Sequence, residues 1–247
     1  MSSIKAKFKY IRDRIVWSDK ATSTTLIKRL KNKGMVIGKG TIFFSPKDAE
    51  IDETRPYLIN IGKNVQIARN VTIVTHGYDW SVLKAKYGEI LGSARPVSIG
   101  NNVFIGMNTT ILGGSNIGNN VIIGAGSLIS NQKIPDNCVV AGSPAKVLYS
   151  LDKYYEKKKK VQLKEAIDLA RAYYERYHRK PNEEIFHEFF WLFSNNMENL
   201  NPLFIHMMKL MNNYDMTERK FVLHKPMFNT YDEFWSYCLK QIKNVDR

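Results

Sequence analysis

VSIGNNVFIGMNTTILGGSNIGNNVIIGAGSLI, residues 97–129, repeats itself every six residues. Isoleucine stands at 99, 105, 111, 117, 123 and 129. Two positions earlier come Val97, Val103, Thr109, Ser115, Val121 and Ser127, and Gly100, Gly106, Gly118 and Gly124 follow four of the isoleucines directly. The same spacing occurs upstream at Ile61, Ile67 and Ile73, preceded by Ile59, Val65 and Val71. A period of six fits neither the 3.6 of a helix nor the plain alternation of a half-buried strand. It fits short strands joined by tight corners, with the aliphatic residue pointing into a narrow core. Asn64, Asn70, Asn102, Asn108, Gly114 and Asn120 fall at those corners, where left-handed backbone angles are needed. One such unit cannot bury its own apolar face, so stability must come from stacking. A weaker register at Ile37-Gly38 and Phe43 precedes an interruption over residues 45–57.

The repeat breaks once more, after VTIV. From Ile73 to Ile99 the chain carries 20 residues more than a continuous repeat would, and His76 stands at the mouth of the excess. The insertion, residues 77–96 (GYDWSVLKAKYGEILGSARP), adds nothing to a stacked core, and loops of this kind build sites. A neutral imidazole at that place can accept a proton near neutral pH and return it.

The hexads, the ending AGSPAK and the NVTI that precedes His76 together resemble the hexapeptide-repeat acyltransferases over residues 35–149. That family includes maltose, galactoside, xenobiotic and polysaccharide O-acetyltransferases. The resemblance implies a mainly β fold, a left-handed parallel β-helix with three hexads per triangular coil, and a homotrimer. It implies acetyl-CoA as acetyl donor, no metal, and His76 as the catalytic base. Carried over position by position, the CoA-contacting residues are Phe104, Met107, Ala125, Ser130, Asn131 and Lys146. Phe104 stands where many members have Trp, and Tyr149 where some have Arg, which removes a charge from the phosphate side. The partner that orients His76 is open between Asp79 and a backbone carbonyl, the latter favoured. The γ-type carbonic anhydrases share the scaffold but bind zinc through three histidines, and residues 35–149 contain only His76.

The remainder of the 247 residues is unlike the repeat. The net charge of +14 is concentrated in residues 1–39, where eleven Lys/Arg face Asp13 and Asp19. Ile4, Phe8, Ile11 and Ile15 give that segment a basic amphipathic helical pattern, expected either to pack on the domain behind it or to touch an anionic membrane surface through residues 1–16. No nucleic-acid-binding motif accompanies the charge. Residues 1–34 read as a basic helical segment and 150–247 as an α-helical extension, with a long helix over 151–178 and an aromatic helical stripe at Phe186, Phe189, Phe190 and Phe193. Thr230 with Glu233 forms a capping-box pattern. Two distant cysteines, no signal-peptide core and no long apolar run point to the cytoplasm.

The expected activity is acetyl transfer to a sugar hydroxyl of a surface polysaccharide or its precursor, at the inner face of the cell membrane. The alternatives are N-acetylation of a nucleotide-linked amino sugar and a non-catalytic β-helix scaffold.

Overall fold

The computed structural model describes residues 18–245. The amphipathic pattern at residues 1–16 lies outside them. The chain divides into two compact units that meet in sequence at Tyr154 and Tyr155.

The first unit is a left-handed parallel β-helix. Its first coil comprises β1 (Val36–Ile37), β2 (Ile42–Phe43) and β3 (Glu50–Ile51), and its second β4 (Ile59–Ile61), β5 (Gln66–Ile67) and β6 (Thr72–Val74). A third follows in β7 (Val97–Ile99), β8 (Phe104–Ile105) and β9 (Thr110–Leu112), and a fourth in β10 (Asn116–Ile117), β11 (Val121–Ile123) and β12 (Leu128–Ser130). β13 (Lys133–Ile134) and β14 (Cys138–Ala141) begin a fifth, which β15 (Lys146–Ser150) closes by turning back antiparallel on β14. Successive coils stack into three parallel faces, ordered β1-β4-β7-β10-β13, β2-β5-β8-β11-β14 and β3-β6-β9-β12.

The hexad predicts the register. Ile37, Ile61, Ile99, Ile117 and Ile134 lie opposite one another on the first face, and Ile51, Ile73, Ile111 and Ile129 on the third. All are buried. Each fills the same slot of a narrow interior, beside a second inward residue two positions earlier, which explains why the position hardly varies. Thr109, Ser115 and Ser127 replace Val at the neighbouring inward position, and each hydroxyl donates to a nearby corner or strand-end carbonyl: Thr109 and Ser127 to Gly124, Ser115 to Leu112. Buried hydroxyls are tolerated there because they are paired.

The corners behave as the sequence predicts, with one addition. Asn64, Asn70, Asn102, Asn108 and Asn120 have φ of 54–58°, and Gly114 has φ of 87°. Their amides also form ladders along the axis: Asn64 donates to Asn102, Asn102 to Asn120, and Asn120 to Asn137. At the opposite end of the hexad, glycine is required by crowding. A Cβ on Gly62 would lie 2.3 Å from the carbonyl oxygen of Gly100 in the next coil.

The helix α1 (Ser23–Asn32) starts at a Thr22/Thr25 capping box and covers the open end of the solenoid. Leu26 and Leu30 from it join the same buried cluster as the ladder. An end-cap of this kind shields the apolar interior of the first coil from water.

The second unit is helical. α2 (Trp80–Tyr87) belongs to the first unit; α3 (Leu151–Tyr177) enters the second, and α4 (Pro202–Met208), α5 (Tyr214–Leu223) and α6 (Tyr231–Val245) follow. Phe186, Phe190, Phe193, Phe204, Phe221 and Phe234 form its aromatic core. The expected aromatic helix over 183–193 is instead two single 3-10 turns, Glu183–Phe186 and Phe190–Leu192. Phe189 and Phe193 leave helical angles, since packing the rings on Phe204 and Phe234 outweighs the weak helix preference of phenylalanine. Thr230 accepts from the Glu233 amide as the capping box requires, but Glu233 reaches back to the amide of Asn229 instead of Thr230. Trp235 is buried beside this core.

Truncating the ladder tests its weight. Ile111→Ala should lower the free energy of unfolding by about 2–5 kcal/mol in urea denaturation. Gly62→Ala should lower the melting temperature although it adds only one methyl group, because the neighbouring coil leaves no room for it.

Candidate active site

The 20-residue excess leaves the solenoid where the third face ends at Val74 and returns at β7. Its base is stitched shut by a bridge between His76 and Ala94 and by the Arg95 amide donating to the Thr75 carbonyl, 2.9 Å. Inside it lies α2 (Trp80–Tyr87), ended by Gly88 at φ 82°. None of the helix is buried in the single chain.

This stitching fixes His76 at the edge of the third face, and a buried carboxylate fixes its ring. Nδ1 of His76 lies 2.7 Å from Oδ2 of Asp52. The carboxylate also accepts from the amide and hydroxyl of Thr54, 3.0 and 2.6 Å away, from the Thr75 amide at 3.1 Å, and from the Thr75 hydroxyl. Burial opposes ionisation of Asp52, but the hydrogen bonds from Thr54, Thr75 and His76 outweigh it and hold the carboxyl well below the usual carboxylate range. An ionised carboxylate can only accept, so the neutral imidazole must carry its proton on Nδ1. Nε2 is then left with a lone pair.

Asp52 was not identified in the sequence, and neither candidate for the orienting group is the one found. Asp79 sits ahead of α2 with its carboxylate near Gly77. Ile51 pairs with Ile73 across the first two coils, which places Asp52 just below the exit to the loop. The signal was an Ile-Asp pair in register with Ile73-Val74. The irregular 45–57 stretch hid that register.

His76 lines two cavities at once. One, of about 530 Å³, is bounded by Arg55, Tyr57, Tyr78, Trp80 and Ser93. The other, of about 330 Å³, runs past Arg95, Leu112, Gly113, Ser130 and Asn131. The structure therefore brings His76, Ser130 and Asn131 together. Met107 and Ala125 share the opposite corner of the same face, where the Gly126 amide donates to the Met107 carbonyl. Phe104 lies partly exposed on the adjacent face, and Lys146 is exposed on β15. Among the described residues no group of His, Cys, Asp and Glu could hold a metal ion.

Comparison with known proteins places this architecture. Residues 96–131 match the family model described as bacterial transferase hexapeptide (six repeats). Protein CapG of Staphylococcus aureus is 41% identical over 129 residues, which cover 52% of this chain and 73% of that one. Galactoside O-acetyltransferase of Escherichia coli is 43% identical over 102 residues, 40% of this chain and 49% of the relative. Among solved structures, a maltose O-acetyltransferase from Clostridium difficile is 28% identical, with 52% of this chain and 75% of that chain covered at a TM-score of 0.40. The chain belongs to the bacterial hexapeptide-repeat transferase family. Within that family it is an acetyltransferase.

The Asp52 contact carries a pH signature. Its folded pKa lies below the unfolded value of about 3.9, so its stabilisation is complete above that value and is lost as the pH falls below it. The urea midpoint of the wild type should therefore drop more steeply between pH 5 and 2 than that of Asp52→Asn, which cannot ionise. Parallel curves for the two proteins would refute the contact.

Proposed function

We propose that the protein is an acetyl-CoA-dependent O-acetyltransferase in which His76 is the general base for a sugar hydroxyl. One observation carries the reading: an imidazole held by an ionised carboxylate through Nδ1 borders two cavities, so that its Nε2 can serve groups entering from either side.

The chemistry follows from that placement. Nε2 takes the hydroxyl proton as the oxygen attacks the thioester carbonyl carbon, and the resulting imidazolium is stabilised by Asp52 behind it. Collapse of the tetrahedral intermediate breaks the C–S bond. The proton then passes from Nε2 to the departing thiolate, leaving a sugar ester and free CoA. The donor runs along the third face, with Ser130 and Asn131 near the thioester end and Met107 and Ala125 at the far corner, beyond which it reaches Phe104 as an aromatic wall and Lys146 toward a phosphate, both in the sheet of the second face. The acceptor enters the larger cavity.

The galactoside acceptor named for the Escherichia coli relative supports a carbohydrate acceptor. The acceptor is a surface polysaccharide or its precursor, the enzyme is a homotrimer, and it works in the cytoplasm at the inner face of the membrane. The concentration of positive charge in residues 1–39 supports the last point.

In a thiol-release assay with acetyl-CoA and a panel of oligosaccharides, His76→Ala and His76→Asn should each lose about 10²-fold or more in kcat. Wild-type turnover in either variant would reject His76 as the base. Asp52→Asn should lower kcat while leaving the KM for acetyl-CoA near the wild-type value. For the membrane contact, co-sedimentation with anionic vesicles should be salt-sensitive and should fall on deletion of residues 1–16; undiminished binding would exclude that segment.

A further inference from the structure

The larger cavity holds groups that proton transfer does not use. The Arg55 guanidinium makes no hydrogen bond or ion pair with any described residue, its backbone carbonyl alone accepting from the Leu58 amide, and no Asp or Glu lines the cavity it borders. The carboxylates nearest to it in sequence are already engaged. Glu53 pairs with Arg29 at 2.5 Å and Lys33 at 2.8 Å, and Asp52 is saturated by Thr54, Thr75 and His76. A guanidinium stays ionised at any physiological pH. One that faces an uncompensated hollow is a ready partner for an anion, which it can hold through two parallel hydrogen bonds.

The rest of the wall suits a carbohydrate. Tyr57 and Tyr78 are each 71% exposed, and Tyr78 stands edge-on to His76 at 5.9 Å between ring centroids and 5.7 Å from Trp80. Exposed rings at the mouth of a cavity offer flat apolar faces beside polar groups, the combination that fixes a small ligand's orientation. The segment from Asp52 to Tyr57 thus supplies the group that orients the base, the cation and one aromatic wall.

We propose that this cavity takes an acceptor sugar bearing an anionic group, a carboxylate or a phosphate, and that Arg55 is the residue that selects it. The proposal rests on the larger cavity being the acceptor side of the His76 reaction. The anion would anchor the sugar on Arg55 while one of its hydroxyls faces Nε2. A neutral sugar would lack that anchor.

Calorimetric titration of the full-length protein with methyl glucoside, methyl glucuronide and glucose 1-phosphate tests this. At least one charged probe should bind tenfold or more tighter than the neutral one, and which of the two does so separates carboxylate from phosphate. Arg55→Gln should erase that advantage and Arg55→Lys should retain part of it, with both variants melting near the wild-type temperature. Equal affinity for all three probes, no measurable binding of either charged probe, or an advantage that survives in Arg55→Gln would overturn the proposal. Thiol release on the same sugars distinguishes the two readings. Turnover that needs His76 but shows no charge preference in binding would sink only the role of Arg55, whereas turnover independent of His76 would sink the general-base reading and leave the binding result standing.

Discussion

A narrow interior that accepts the same small set of inward side chains from every strand is the constraint from which the first unit follows. It forces each strand to be short and each corner to be tight, and it makes every coil present the same residue at the same height. Ile73, Ile111 and Ile129 are superposed because no other arrangement fills the column. The corner asparagines then fall into line as well, and their side-chain amides pair along the axis. A chain built this way has little freedom inside the coil, so its variation is expressed in what leaves the coil.

Two departures from the repeat carry the residues of the candidate site, and they meet. The stretch between Ile51 and Ile59 carries Asp52, Arg55 and Tyr57, and the longer loop after Ile73 begins with His76, Tyr78 and Trp80. Register brings them together: Ile51 lies against Ile73, so the residue after the first strand sits beside the mouth of the second insertion. The threonines of the same segments, Thr54 and Thr75, supply the donors that keep Asp52 ionised. A buried carboxylate with so many donors cannot easily be protonated, and that locks the tautomer of the ring it faces.

The isoleucine ladder, the corner conformations, the exit point of the loop and the isolated position of His76 could all be read from spacing alone. Periodicity reports on residues that obey a rule. Asp52 belongs to an interruption, where the rule gives no address, and its role appears only once the coils are stacked. Arg55 and Tyr57 escaped notice for the same reason. In the helical unit the spacing of Phe186, Phe189, Phe190 and Phe193 suggests one helix; three of the rings are buried, yet on two short turns and the residue that ends the second, because ring packing and not backbone propensity sets that geometry. Pattern identifies which residues are inside more readily than how the backbone brings them there.

Everything proposed for the site depends on Asp52 fixing the proton of His76 on Nδ1 and leaving Nε2 with its lone pair. The ¹⁵N shifts of the His76 imidazole in selectively labelled protein report this directly. For the neutral ring, a protonated Nδ1 and an unprotonated Nε2 are expected in the wild type, with that preference weakened in Asp52→Asn. A neutral ring protonated on Nε2, or a tautomer indifferent to the loss of Asp52, would contradict it.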